Sequence, residues 1–219
     1  MNLEIEETRS LMVVQQIRPW YVLDDSVLDM LYKIKREDFV PHENRSLAFV
    51  DMKIPLGYGQ IMLEPKVEAR ILQELKITKN DKILEVGSGS GYMTALLAEK
   101  GNHVYSVEIL PELKLLAEKN LKGYNIQNVT LEQGDAAQGW TKYAPYDVIA
   151  LTGSTPVLPE VFKQSLNIGG RLFAIVGEDP VMQALLITRT GLTEFTTRNL
   201  FETSITPLMN AQQPEKFLF

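Results

Sequence analysis

Seven consecutive residues, Glu85-Val86-Gly87-Ser88-Gly89-Ser90-Gly91, hold the densest chemistry in the chain. Three glycines at alternate positions let the backbone turn tightly and bring its N–H groups against a ligand with no β-carbon in the way. A carboxylate two residues ahead of the first glycine suits a ligand that carries positive charge. Two ligands compete for such a turn. A dinucleotide takes GxGxxG, which sets its pyrophosphate on a helix N-terminus, but Tyr92 stands where the last glycine of that pattern belongs. The GxGxG spacing fits S-adenosylmethionine, whose sulfonium and amino groups favour an acid such as Glu85.

Two further acids extend the same site. Glu108, with Ile109 beside it, ends the next apolar run, about 20 residues beyond the loop, where an acid in such folds grips the ribose hydroxyls. Asp135, with Ala136, closes the run after that and falls where the exocyclic amine of an adenine needs an acceptor. Thr152, in "LTGSTP", either faces the transferable group or caps the helix that follows.

Elements must place these residues at one edge. From residue 82 onward strand-like and helix-like stretches alternate: "KILEV", "MTALLAEK", "HVYSVE", "PELKLLAEKNLKG", "NVTLEQ", "YDVIAL", "LPEVFKQSL" and "GGRLFAIVG". Strands joined through helices lie parallel, by right-handed crossovers. The final pair, "ALLITRT" and "EFTTRNLFE", is joined too tightly for a crossover at Gly191 and is expected to be antiparallel. The opening third reads as helix, with Ile5, Thr8, Leu11, Met12 and Gln15 on one side and Val27, Leu28, Leu31, Tyr32 and Ile34 repeating the pattern. A further helix starts at Pro65 and turns Val67, Ile71, Leu72 and Leu75 inward. The expected fold is α/β: a seven-stranded, mostly parallel Rossmann-like sheet with a late antiparallel strand, helices on both faces and a helical N-terminal extension. One domain is expected over 1–219, with the extension at 1–60 and the cofactor-binding core at 61–219.

Composition narrows the function classes. The 219 residues are 45% hydrophobic, enough for one sizeable core. A net charge of −6 works against a polyanion spread over the surface, so no nucleic-acid partner is expected. With no cysteine, disulfides, thiolate metal sites and a cysteine nucleophile are excluded. His42, in "PHEN", and His103, at a strand start, have no partner at a metal-ligand spacing and are read as structural or solvated, so no metal is expected. The acidic opening lacks the basic start of a signal peptide, and no stretch approaches the ~20 apolar residues of a membrane span. A cytoplasmic, soluble protein, monomeric or weakly dimeric, is expected.

The sequence resembles the protein-L-isoaspartate (D-aspartate) O-methyltransferase family over most of its length. The resemblance is carried by "MVVQQIR", "DFVP", "IPLGYGQ", "DKILEVGSGSGY", "VYSVEILPEL", Gly134-Asp135, "YDVIALTGSTPVLPE" and "LNIGGRLFAIVG". It implies a class I methyltransferase fold and transfer of a methyl group from S-adenosylmethionine to the carboxylate of L-isoaspartyl residues in damaged proteins or peptides, leaving S-adenosylhomocysteine. It also implies that the loop at 57–63 approaches the acceptor, with Tyr58, Gln60, Ile61, Leu63 and Thr152 on that side. In one respect the chain departs from the family. After "GYGQ" the family continues Thr-Ile-Ser, and its serine is assigned to the active site; here Ile61-Met62-Leu63 follow, Leu63 occupies the serine position, and no residue is named catalytic. Two alternatives stay open on that account, a different and more apolar acceptor, or a non-catalytic module that binds S-adenosylmethionine. The Asn/Asp-Pro-Pro-aromatic signature of amino-group methyltransferases is absent at 151–156. Phe217, Leu218 and Phe219 are expected to dock on the body or on a second subunit.

Overall fold

The structure, a computed structural model, describes residues 2–214; Phe217, Leu218 and Phe219 lie outside the described residues. The chain opens with α1 (Asn2–Met12), a wide helical turn at Val13–Ile17 and a tight one at Arg18–Trp20, then α2 (Asp25–Lys33). Asp24 caps α2 by accepting from the Ser26 N–H. A hairpin follows, β1 (Ile54–Gly57) and β2 (Gln60–Met62), and α3 (Pro65–Leu75) leads into the sheet.

The sheet strands are β3 (Lys82–Val86), β4 (His103–Glu108), β5 (Val129–Gln133), β6 (Tyr146–Thr155), β7 (Leu166–Glu178), β8 (Val181–Arg189) and β9 (Phe195–Thr203). Between them lie α4 (Tyr92–Lys100), α5 (Pro111–Gly123) and α6 (Glu160–Gln164). Their spatial order is β5-β4-β3-β6-β7-β8-β9. Pairs from β5 through β7 are parallel, and β8 runs antiparallel to both β7 and β9. The tightly joined terminal pair is therefore antiparallel, as the short Gly191 connection requires.

Alternation along the central strands feeds two cores. Ile83, Val148, Ala150, Phe173 and Ile175 face one, with α3, α4, α5 and the N-terminal segment. Leu84, Ile149, Leu151, Leu172 and Ala174 face the other, which is closed by Phe162 of α6 and by irregular chain carrying Trp140, Tyr143 and Leu208. Strands covered on both faces read as continuous apolar runs, which is why β3 and β6 were legible.

The first helix is turned from its expected register. Thr8, Leu11 and Gln15 are exposed, and the inward residues are Arg9, Met12, Val13 and Ile17. Arg9 reaches the buried carboxyl of Glu37 and donates to Glu6 at 2.7 Å, so a charged residue sits on the core face and an apolar count misplaces the stripe. In α2, Val27, Leu28 and Leu31 are buried as expected, while Tyr32 is exposed.

Candidate active site

A cleft of about 820 Å³, including its open mouth, lies beyond the carboxyl ends of β3, β4 and β6. Strand order reverses there, with β4 and β5 on one side of β3 and β6 and β7 on the other. Such switch points are where open α/β sheets bind ligands.

The glycine turn joins β3 to α4, and all three glycines have positive φ: +95° at Gly87, +52° at Gly89 and +83° at Gly91. A β-carbon at Gly87 would stand 2.5 Å from Thr152 Oγ1, so both conformation and space demand glycine there. The turn is tied to β4 by Glu108, whose carboxylate accepts from Gly89 N at 2.9 Å and Leu110 N at 3.1 Å, with Ser88 Oγ 3.4 Å away. Thr152 braces it from β6, its hydroxyl lying 2.7 Å from the Gly87 carbonyl and 2.9 Å from that of Val86. It caps no helix. Asp135 accepts from Ala137 N at 3.0 Å and from Asn210 Nδ2 at 2.8 Å.

Gly87, Ser88, Gly89, Glu108, Ile109, Asp135, Ala136 and Thr152 line this one cleft, and so do Gln60, Ile61 and Leu63 of the hairpin region. Gly91 stands outside the lining as the cap of α4, packed on Ala117. Tyr58, at the hairpin tip with φ +55°, is 62% exposed and also stands outside. Glu85 is wholly buried behind the turn. Thr94 Oγ1 at 2.5 Å and Ser106 Oγ at 2.6 Å both donate to its Oε2, while Oε1 has no partner among the described residues. Burial pushes its pKa up to about 7 against the pull of those two hydroxyls, and nearby Glu108 adds to the rise.

The apolar triple after Gln60 has a packing role. Gly57, Tyr58 and Gly59, all at positive φ, reverse the chain, and β2 then returns against β1. Met62 and Leu63 enter the core beneath, Ile61 packs on it, and all three side chains line the cleft. Two lining groups escaped sequence reasoning. Glu68 is one; it sits on the inward stripe with Ile71, Leu72 and Leu75, and an acid at i of an apolar i, i+3, i+4, i+7 set was the signal. Its carboxyl meets Arg36, which also donates to the carbonyls of Ala48 at 2.9 Å and Leu63 at 2.6 Å. The other is the chain after β9. Ile205 to Leu208 pairs onto Ser154, and Thr206, Leu208 and Met209 line the cleft. No sequence signal marked it.

A family model for protein-L-isoaspartate(D-aspartate) O-methyltransferase matches residues 7–213. The protein-L-isoaspartate O-methyltransferase of Gloeobacter violaceus is 37% identical over 207 residues, covering 93% of this chain and all of the relative. That of Protochlamydia amoebophila is 36% identical over 202 residues, covering 92% and 96% of the two chains. A Plasmodium falciparum structure described as a putative protein-L-isoaspartate O-methyltransferase in complex with S-adenosyl-L-homocysteine shares the fold, with a TM-score of 0.77 at 21% identity over 91% of this chain and 97% of that one. Matched nearly end to end by the family model and by relatives above 35% identity, the chain belongs to the protein-L-isoaspartate(D-aspartate) O-methyltransferase family.

Proposed function

We propose that the protein methylates the free carboxylate of L-isoaspartyl residues in damaged proteins and peptides, using S-adenosylmethionine. The observation that carries this reading is the convergence of the glycine turn, Glu108 and the hairpin residues Gln60 to Leu63 on one cleft in a chain of this family. The residues present fit the cofactor. Glu85, behind the turn and outside the cleft lining, keeps a buried oxygen with no partner among the described residues and so places negative potential beneath a positively charged group, and Glu108 uses three contacts of the roughly four lone-pair sites a carboxylate offers. In this reading Glu85, Gly87, Ser88, Gly89 and Gly91 form the cradle, Glu108 and Ile109 take the ribose, and Asp135 and Ala136 the adenine. The cofactor supplies a methyl group on a sulfonium, already activated by its own leaving group.

The acceptor needs little activation. A carboxylate with an ordinary pKa near 4 is ionised at neutral pH, so no general base is required. What the chain supplies is alignment and exclusion of water, which Ile61, Met62 and Leu63 favour by presenting apolar surface to the cleft. A cysteine-free chain with an excess of acids fits a reducing, cytoplasmic setting and protein rather than nucleic-acid acceptors. The test is transfer of labelled methyl to an isoaspartyl peptide by the natural protein and by the Ile61→Thr, Leu63→Ser double variant. Both should transfer, the variant differing by no more than roughly 100-fold, the low end of the effect of one hydrogen-bond donor. Transfer by the variant alone would move the natural acceptor elsewhere.

A further inference from the structure

The proposed acceptor is an anion, yet among the described residues no basic side chain lines the cleft, while three acids, Glu68, Glu108 and Asp135, do. Glu108 is engaged by the N–H groups of Gly89 and Leu110, and Asp135 by Ala137 and Asn210. Glu68 differs from both. It is the fourth residue of α3, five beyond Leu63, is 2% exposed, and uses Oε2 to accept from Arg36. Among the described residues its hydrogen bond is made through Oε2 alone, leaving Oε1 without one, and Glu68 lines the cleft. Arg36 fixes this orientation, because the same guanidinium is held by the Leu63 and Ala48 carbonyls.

Resting on the isoaspartyl reading, we propose that Glu68 carries a proton on Oε1 and donates it in a hydrogen bond to the acceptor carboxylate, supplying the donor that Ile61 and Leu63 lack. Two carboxyl groups in contact cannot both be ionised, so such a pair holds one proton between them. The proton belongs to Glu68. Burial pushes its pKa up to about 8, with Glu64 of the same helix start and Glu85 of β3 adding to the rise and Arg36 opposing it. The phenol of Tyr92, from α4, also faces Glu68 and is itself held neutral by burial. The acceptor, with an ordinary carboxyl pKa, stays ionised and keeps its lone pair for the methyl group. No proton changes owner during transfer; the hydrogen bond orients the nucleophile.

The test is binding of an N-acetylated isoaspartyl peptide to the protein saturated with S-adenosylhomocysteine, by calorimetry from pH 6.5 to 9, with methyl transfer followed over the same range. Affinity and transfer should both fall above about pH 8, approaching about tenfold per pH unit, as one group ionises. The Glu68→Gln variant retains a donor and an acceptor for Arg36, so binding at pH 7 should drop only a few-fold and the alkaline fall should disappear. A Glu68→Leu change is uninformative because it strands a buried Arg36. An identical alkaline fall in Glu68→Gln, or a flat profile in the natural protein, would overturn the proposal while leaving the proposed function standing. Failure of the natural protein to bind or methylate the peptide at pH 7, with S-adenosylhomocysteine still bound, would remove the proposed function and this inference together.

Discussion

Glu85 marks both the reach of a spacing argument and its limit. Its place two residues before the glycines points to an acid beside the turn, but not to Thr94 and Ser106 holding one of its oxygens. Those partners come from α4 and β4, so only the folded chain brings them together. The environment also makes a pH prediction. Glu85 and Glu68 have folded-state pKa values raised to about 7 and about 8 from an ordinary 4.5, chiefly by burial. The folded protein therefore holds protons that the unfolded chain releases. The associated stabilisation is complete below about pH 4.5 and is lost as pH rises through about 7 to 8. The melting temperature should fall by at least several degrees between pH 5 and pH 8, and Glu85→Gln should flatten the slope. A melting temperature that climbs across this window in the natural protein would contradict the assignment.

At the scale of elements, the parallel strands were legible because burial on both faces writes them as unbroken apolar runs, and the tight antiparallel ending followed from the short Gly191 link. The rotated face of α1 was not legible. Its inward side is built round Arg9, and whether an arginine points inward depends on a carboxyl 28 residues away, Glu37. Arg36 belongs to the same class of hidden contact. It joins the turn after α2 to the end of the hairpin and to α3 through one planar fork. Arg36→Met should cost about 3 kcal/mol or more, because two carbonyls and a buried carboxyl lose their donor. Arg36→Lys should recover less than half of that, since an ammonium cannot span three acceptors in one plane. Denaturant titration of the three proteins measures both effects, and a loss below about 1 kcal/mol for Met would show the fork to be dispensable.

For the whole molecule, one side of the cleft could be read from the sequence and the other could not. The glycine turn, Glu108 and Asp135 announce themselves because each occupies a fixed offset from a strand end, and the sheet brings all three to one edge. The chain after β9, carrying Thr206, Leu208 and Met209, has no such offset; it reaches the cleft by pairing with Ser154 at the bulged end of β6. The apolar triple at 61–63 was legible as a departure from the family, but its dual role as core and cleft wall needed the hairpin. The most direct test of the central claim is kcat/KM for methyl transfer to an isoaspartyl peptide and to its ordinary aspartyl twin. The isoaspartyl peptide should turn over with at least about 100-fold preference, within the range that one methylene of difference allows. Equal rates on the two peptides, or none on either while S-adenosylhomocysteine binds, would contradict it.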